Sequence, residues 1–238
     1  PKSSVAECCR SIRTNLHFMS PDQKLGALLV TSAGPREGKT STAVSVATVM
    51  AQSGNRVLLV DTDMRRPRLH RALEQENTLG MSNLILGENT YEEAIQRTVV
   101  PNLDLLPCGP IPPNPTELMH TERFRTVIKE LRSRYDRVIF DSPPVIAVAD
   151  SMILGNFVDG VLFVIRSGQT NKEVVRRAKM NLEGINAPIL GAILNDLDLE
   201  DRAYRYHYYY SYYSRYGQYY EEDPQDAEPK KDEATATS

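Results

Sequence analysis

Cysteine is scarce. The 238-residue chain has three, two of them the neighbours Cys8 and Cys9, too few for a disulfide framework, and no C-x-x-C pair marks a metal site. A reducing, cytoplasmic setting fits such a chain. A surplus of positive charge is missing as well: 28 basic against 31 acidic residues leave a formal net charge of −3. No global field exists to hold nucleic acid or anionic lipid, so any anion site must be local and nucleic acid is not an expected partner. Long apolar runs are absent too. None approaches the ~18–20 residues that cross a bilayer, and no charged-then-apolar leader starts the chain. The chain by itself is expected to be soluble. Because it begins at Pro1 rather than methionine, it is also compatible with being a piece of a longer polypeptide whose upstream part carries a membrane segment.

With 41% hydrophobic and 25% charged residues, the chain can bury a substantial core yet is short for two full domains, so one domain with a tail is expected. Short apolar runs recur: ALLVTSA (27–33), RVLLVDT (56–62), LDLLPC (103–108), RVIFDS (137–142), GVLFVIR (160–166) and ILGAILN (189–195). Their nearly continuous, rather than alternating, apolar character marks strands covered on both faces. Helical periodicity fills the gaps at 40–54, 121–135 and 171–185. Strands alternating with helices predict an α/β fold, a mostly parallel sheet with helices on both faces. Residues 64–102 are expected to be mostly helical, with two short helices in GMSNLILGENTYEEAIQ. In GPIPPNPTEL (109–118), Asn114 is placed to cap a helix, with Pro115 at its first position and Glu117 three after the cap.

The segment SAGPREGKTS (32–41) stands between the first apolar run and the first helical one, the context in which a glycine-rich loop counts as a phosphate cradle. Gly34 and Gly38 let the backbone turn across Pro35, Arg36 and Glu37 with its N–H groups inward, and the following helix adds the positive end of its dipole. Lys39 would reach the β- and γ-phosphates of a nucleotide, Thr40 would offer its hydroxyl to Mg2+, and Ser41 would assist at the α-phosphate. One position departs from G-x-x-x-x-G-K-[ST]: Ala33 stands where the first glycine belongs.

Two apolar runs end in acids, LLVDTD in Asp61 and Asp63, and VIFD in Asp141. Ligands of an open parallel sheet gather at the carboxyl ends of its strands, so the three acids are expected to converge on the phosphates. Residues two apart on a strand share a face, which lets Asp61 and Asp63 look into one cleft while Thr62 turns aside. Near Mg2+ and Lys39 these acids are expected to stay ionised. One, with Asp141 the first candidate, organises the metal, and another accepts a proton from an attacking hydroxyl. Helix capping or ordinary strand-end turns are the plain alternative for Asp61 and Asp63.

Both ends of the chain carry unusual patterns. In ECCRSIR, Glu7, Arg10 and Arg13 fall at three-residue steps, neighbours on one helical face that spacing alone reads as a solvated charged surface. Arg65, Arg66 and Arg68 read as phosphate or partner contacts, or as surface charge. Ten of the 12 tyrosines crowd into residues 204–220, namely Tyr204, Tyr206, Tyr208, Tyr209, Tyr210, Tyr212, Tyr213, Tyr216, Tyr219 and Tyr220, followed by an acidic, Pro-interrupted stretch. No aliphatic periodicity accompanies them, so 204–238 reads as a flexible tail behind a folded domain of residues 1–203. Such a tail is an adhesive patch, an aromatic binding surface or a bank of kinase substrates.

Together these motifs resemble the bacterial tyrosine kinases, P-loop proteins related to the MinD and ParA ATPases and unrelated in fold to eukaryotic protein kinases. SAGPREGKTS is similar to their Walker A loop, LLVDTDMRRP to their Walker A′ motif and VIFDSPP to their Walker B strand. LPCGPIPPNPTEL, DGVLFVIRSGQT and the tyrosine cluster also look like family stretches, so the resemblance runs from about residue 3 to residue 220. It implies a P-loop NTPase-like fold and an ATP- and Mg2+-dependent protein tyrosine kinase. By that resemblance Lys39 and Thr40 bind phosphates and metal, Asp141 and Asp63 organise the metal, Asp61 activates the tyrosine hydroxyl and Asn195 contacts adenine. A helix over about residues 3–18 would pack subunits into a ring through Glu7, Arg10 and Arg13, and the tail tyrosines would be autophosphorylated. Full modification would add roughly −15 to −20 charges per tail, enough to repel ring neighbours. The resemblance also implies a cytoplasmic domain at the inner face of a bacterial membrane, with an activator fused upstream or supplied as a separate chain, governing a surface polysaccharide. The MinD and ParA group carries an extra lysine five residues before the P-loop lysine. Here that place is Gly34, which disfavours their dimer-activated mechanism. The alternatives are a MinD/ParA-like switch that binds partners according to nucleotide state and a purely structural ring subunit.

Overall fold

Each apolar run becomes a strand. In the computed structural model, which describes residues 4–19 and 25–197, these are β1 (Ala27–Ser32), β2 (Val57–Asp61), β4 (Leu103–Leu106), β5 (Arg137–Asp141), β6 (Gly160–Arg166) and β7 (Ile189–Asn195), with a two-residue β3 (Gln96–Arg97) in addition. The chain divides into two units, Pro1–Asp196 and Leu197–Ser238, and every element named below lies in the first. The ten tail tyrosines expected as substrates lie outside the described residues.

The strands form one sheet in the order β3-β4-β2-β5-β1-β6-β7. All neighbours run parallel except β3 and β4. Parallel neighbours need helical crossovers, and the chain supplies α2 (Lys39–Gln52) between β1 and β2, α7 (Glu122–Arg134) before β5, α8 (Asp150–Gly155) before β6 and α9 (Lys172–Glu183) before β7. One feature of the order positions everything that follows: β5 lies between β1 and β2, although it comes long after both in sequence.

Successive strand residues point to opposite faces, and this divides the core in two. Leu28, Val30, Leu59 and Ile139 pack on one face with Ala43, Val46, Ala47 and Met50 of α2. Ala27, Leu29, Leu58, Val60, Val138 and Phe140 pack on the other with Phe124, Val127, Ile128 and Leu131 of α7. The N-terminal helix α1 (Ser4–Met19) covers the first face through Leu16 and Ile12. Its Glu7 and Arg10 form an ion pair, while Arg13 is half-buried.

Two expectations about local structure are corrected. Residues 64–102 are less helical than their apolar spacing suggests, holding α3 (Leu69–Ala72), α4 (Met81–Leu86) and α5 (Tyr91–Ala94) separated by turns and β3. Gly87 ends α4 in the left-handed region at φ 78°, and that break keeps α4 and α5 from fusing. Asn114 stands at the start of α6 (Pro115–Met119) but makes no side-chain capping bond; its Nδ2 donates instead to Glu117 Oε2 at 3.2 Å. Neither β3 nor α8 is anticipated by pattern, since two residues have no period and Ala149 before α8 offers no capping side chain.

Phe124 is fully buried and meets Phe157 edge-to-face at 5.7 Å between centroids. Phe124→Ala is expected to cost about 3–5 kcal/mol of stability, read as a lower denaturant midpoint with an unchanged slope.

Candidate active site

The loop after β1 is held open by its own side chains. Arg36 and Gly38 have positive φ, 62° and 91°, a backbone course that turns successive N–H groups toward a common centre. Gly38 is the N-cap of α2 and has no side chain to occupy the orphan amides of the first turn, which leaves them for an anion. A Cβ at Gly38 would lie 2.0 Å from Asn195 Nδ2, so this glycine is required by both conformation and space. Glu37 is buried and braces the loop from within: its Oε1 accepts from Gly34 N at 2.5 Å and its Oε2 from Arg166 N at 3.4 Å. Asn195, at the end of β7, donates from Nδ2 to Glu37 O at 3.0 Å. The structure thus places Asn195 on the loop backbone. Pro35, Arg36 and Ser41 are exposed, Gly34 and Thr40 half-buried, and Lys39 buried.

At the carboxyl ends of the central strands the acids come together. Asp61 and Asp141 are register partners on β2 and β5. Thr40, just after β1, donates from Oγ1 to Asp141 Oδ2 at 2.7 Å, and Thr62 donates from Oγ1 to the Asp141 carbonyl at 2.6 Å. The remaining carboxylate oxygen, Asp141 Oδ1, is buried without a partner. Buried polar atoms are normally paired. A hydroxyl and an orphaned carboxylate oxygen side by side, next to a phosphate loop, are a donor set suited to a hard, oxygen-seeking cation such as Mg2+. No cluster of three or more His, Cys, Asp or Glu side chains able to hold a metal occurs among the described residues, so the protein alone offers no complete cage.

Asp61 and Asp63 differ sharply. Asp61 is fully buried; its Oδ1 accepts from Asp63 N at 3.2 Å, and its Oδ2 from Arg68 N and Leu69 N, both at 2.9 Å. These bonds tie β2 to the start of α3, so the plain capping reading describes its present contacts. Asp63 is half-buried and accepts at Oδ1 from Arg65 N and Arg66 N at 3.3 and 3.0 Å. Burial pushes the Asp61 carboxyl up to about 8, with the charges of Asp141 and Asp63 adding and the Leu69 and Arg68 amides opposing. Burial likewise pushes Asp141 up to about 7, against the Thr40 hydrogen bond and the Lys39 ammonium. In the ligand-free protein exclusion of water outweighs one lysine for these two, whereas the expectation of ionised acids concerns the site with Mg2+ beside them.

The comparisons with known proteins bear on family and fold. A family model described as an AAA domain matches residues 35–185. The tyrosine-protein kinase YwqD of Bacillus subtilis is 44% identical over 208 residues, 87% of this chain and 88% of that protein. The chain belongs to the bacterial tyrosine-kinase family. The solved kinase domain of the Escherichia coli tyrosine kinase ETK shares 35% identity and a TM-score of 0.79 over 82% of this chain and 76% of that one. The septum site-determining protein MinD of Pyrococcus horikoshii, solved with Mg-ADP, is farther away at 22% identity and a TM-score of 0.64, covering 74% of this chain and 72% of that one, a likeness of fold alone.

In this bacterial tyrosine kinase one network escapes the sequence reading. Asp150 is fully buried at the start of α8. It accepts from Arg65 Nε at 2.9 Å and from Thr116 Oγ1 at 2.6 Å, which pins the turn carrying Asp63 to α6 and α8. An acid opening a short helix was the only available signal.

Raised folded-state values fix the sign of a pH effect. Below about pH 4 Asp141 is protonated in native and unfolded chains alike, so its contribution is intact there. As pH rises toward 7 the unfolded chain has released a proton that the native chain still holds, and stability falls. Asp141→Asn, which keeps an acceptor for Thr40, is expected to raise the melting temperature of the metal-free protein at pH 8 by about 5 °C or more, with little effect at pH 4. Mg2+ binding by the parent at pH 6.5 should release roughly one proton, measurable by calorimetry in buffers of different ionisation enthalpy; absence of both effects contradicts the burial argument.

Proposed function

We propose that the chain transfers the γ-phosphoryl group of ATP to tyrosine, chiefly on its own residues 204–220. The observation that carries this reading is that Thr40 donates to Asp141, the register partner of Asp61, beside the glycine loop that opens α2. Loop amides and Lys39 hold the phosphates. Thr40 and Asp141, with Asp63 orienting the surrounding water, hold Mg2+, which when bound offsets phosphate charge and draws electron density from the γ-phosphorus. The tyrosine oxygen forms a bond to that phosphorus as the bond to the β,γ-bridging oxygen breaks; the phenolic proton passes to Asp61, which gives up its own proton when Mg2+ adds positive charge beside it, and ADP departs with the bonding electron pair. Asp61 accepts three backbone bonds, one of them on Oδ1 and two on Oδ2, so Oδ1 of the ionised carboxylate retains an acceptor site for the hydroxyl.

Glu7, Arg10 and Arg13 on α1 are assigned to packing subunits into a ring, in which one tail reaches a neighbouring active site. Tyr204, Tyr206, Tyr208, Tyr209, Tyr210, Tyr212, Tyr213, Tyr216, Tyr219 and Tyr220 are the acceptors. Production or export of a surface polysaccharide is the governed process, and a membrane activator, fused or separate, recruits the domain to the inner face of the membrane. No helix among the described residues is long and apolar enough to cross a membrane. For the MinD/ParA-like switch no comparable observation speaks, because Gly34 occupies the place of that group's additional lysine.

After incubation with Mg·ATP, mass spectrometry is expected to find phosphate on tyrosines within 204–220, and Lys39→Met to reduce anti-phosphotyrosine signal about 100-fold or more. ATP hydrolysis at equal rates with no phosphate in this segment would establish the switch instead.

A further inference from the structure

Arg65, Arg66 and Arg68 look alike in sequence but not in the structure. Arg65 is consumed by Asp150 and Thr116. Arg66 and Arg68 are exposed, and neither pairs with a carboxylate side chain among the described residues. Their position is set by the backbone: Arg66 N donates to Asp63 Oδ1 at 3.0 Å and Arg68 N to Asp61 Oδ2 at 2.9 Å. Pro67 between them restricts the turn. Two exposed arginines without a carboxylate partner among the described residues are thus anchored at the very residues that carry the candidate catalytic carboxylates. Nothing in the phosphoryl-transfer step uses them.

We infer that Arg66 and Arg68 form a substrate-selecting rim that recognises acidic residues on the C-terminal side of the acceptor tyrosine. The tail supplies the complement. From Tyr204 to Tyr220 it contains no acid, and directly after Tyr220 come Glu221, Glu222 and Asp223. An extended chain advances about 3.3 Å per residue, so with Tyr219 or Tyr220 at the cleft those acids fall roughly 3–13 Å away, the range a rim of long side chains covers. Arginine forks suit carboxylates, and the same forks accept an acidic peptide from another protein. The inference rests on the kinase reading and adds to it an order of modification: Tyr219 and Tyr220, at the acidic boundary, are taken before the tyrosines upstream.

The full chain is given two synthetic peptides, residues 214–226 and the same peptide with Glu221→Gln, Glu222→Gln and Asp223→Asn, and peptide phosphate is read by mass spectrometry. The parent is expected to favour the acidic peptide about five- to tenfold in kcat/KM, mainly through KM, with the preference shrinking at high salt. In an Arg66→Gln, Arg68→Gln double variant the ratio should fall to about one, and an Arg66→Glu, Arg68→Glu variant should prefer a peptide carrying Lys at 221–223. Equal use of both peptides by the parent overturns the rim while leaving the kinase intact. A preference that persists in the double variant also overturns it, as does a loss that follows a raised KM for ATP equally on both peptides. Labelling of neither peptide by the parent overturns the kinase reading and the rim with it.

Discussion

The insertion of β5 between β1 and β2 is the constraint on which the rest depends. It sets Asp141 directly beside Asp61 in register and within hydrogen-bonding distance of Thr40 at the start of α2. Three stretches distant in sequence thereby meet at one end of the sheet. Because the strands are parallel and buried on both faces, their carboxyl ends and the N-terminus of α2 lie where an open parallel sheet takes its ligands. A slip of one residue in β5 would turn Asp141 to the opposite face of the sheet and remove it from the site.

This arrangement carries a penalty that a bound cation and anion would remove. Two acids share a dry environment with a single lysine, and one carboxylate oxygen has no partner. On the proposed reading a divalent cation and a polyphosphate would supply what is missing: the cation would pair the orphan oxygen, and the phosphates would meet the loop amides. The surrounding polar framework is built to wait in that state. Glu37 holds the loop from inside, Asn195 packs against Gly38, and Asp150 fixes Arg65. These bonds reduce the ordering that must accompany binding, which is how preorganised sites gain affinity.

Much of the fold is legible in the sequence because its signals are local. Six strands announce themselves by unbroken β-branched and aliphatic runs, and the longer helices by their 3.6-residue spacing. Short elements are not legible: α3 and β3 span four and two residues, less than one full period with flanking context, and their existence depends on neighbours. At the site, the loop and the strand-end acids are readable from residue type and order. Charge state is not, since ionisation of Asp61 and Asp141 depends on how completely water is excluded, and burial is a property of the assembled sheet.

The three arginines after Asp63 illustrate the same division. In sequence they are equivalent basic residues within a four-residue span. Folding gives Arg65 a buried carboxylate supplied by α8 and leaves Arg66 and Arg68 facing solvent beside the cleft. The sequence by itself determined the α/β class, the phosphate loop, the candidate acids and the tyrosine cluster, all of which follow from short-range pattern. Only the tertiary structure decided which acids are neighbours, which are buried and which arginine has a carboxylate partner among the described residues, because those depend on strand order, and strand order is settled by contacts between residues about a hundred positions apart.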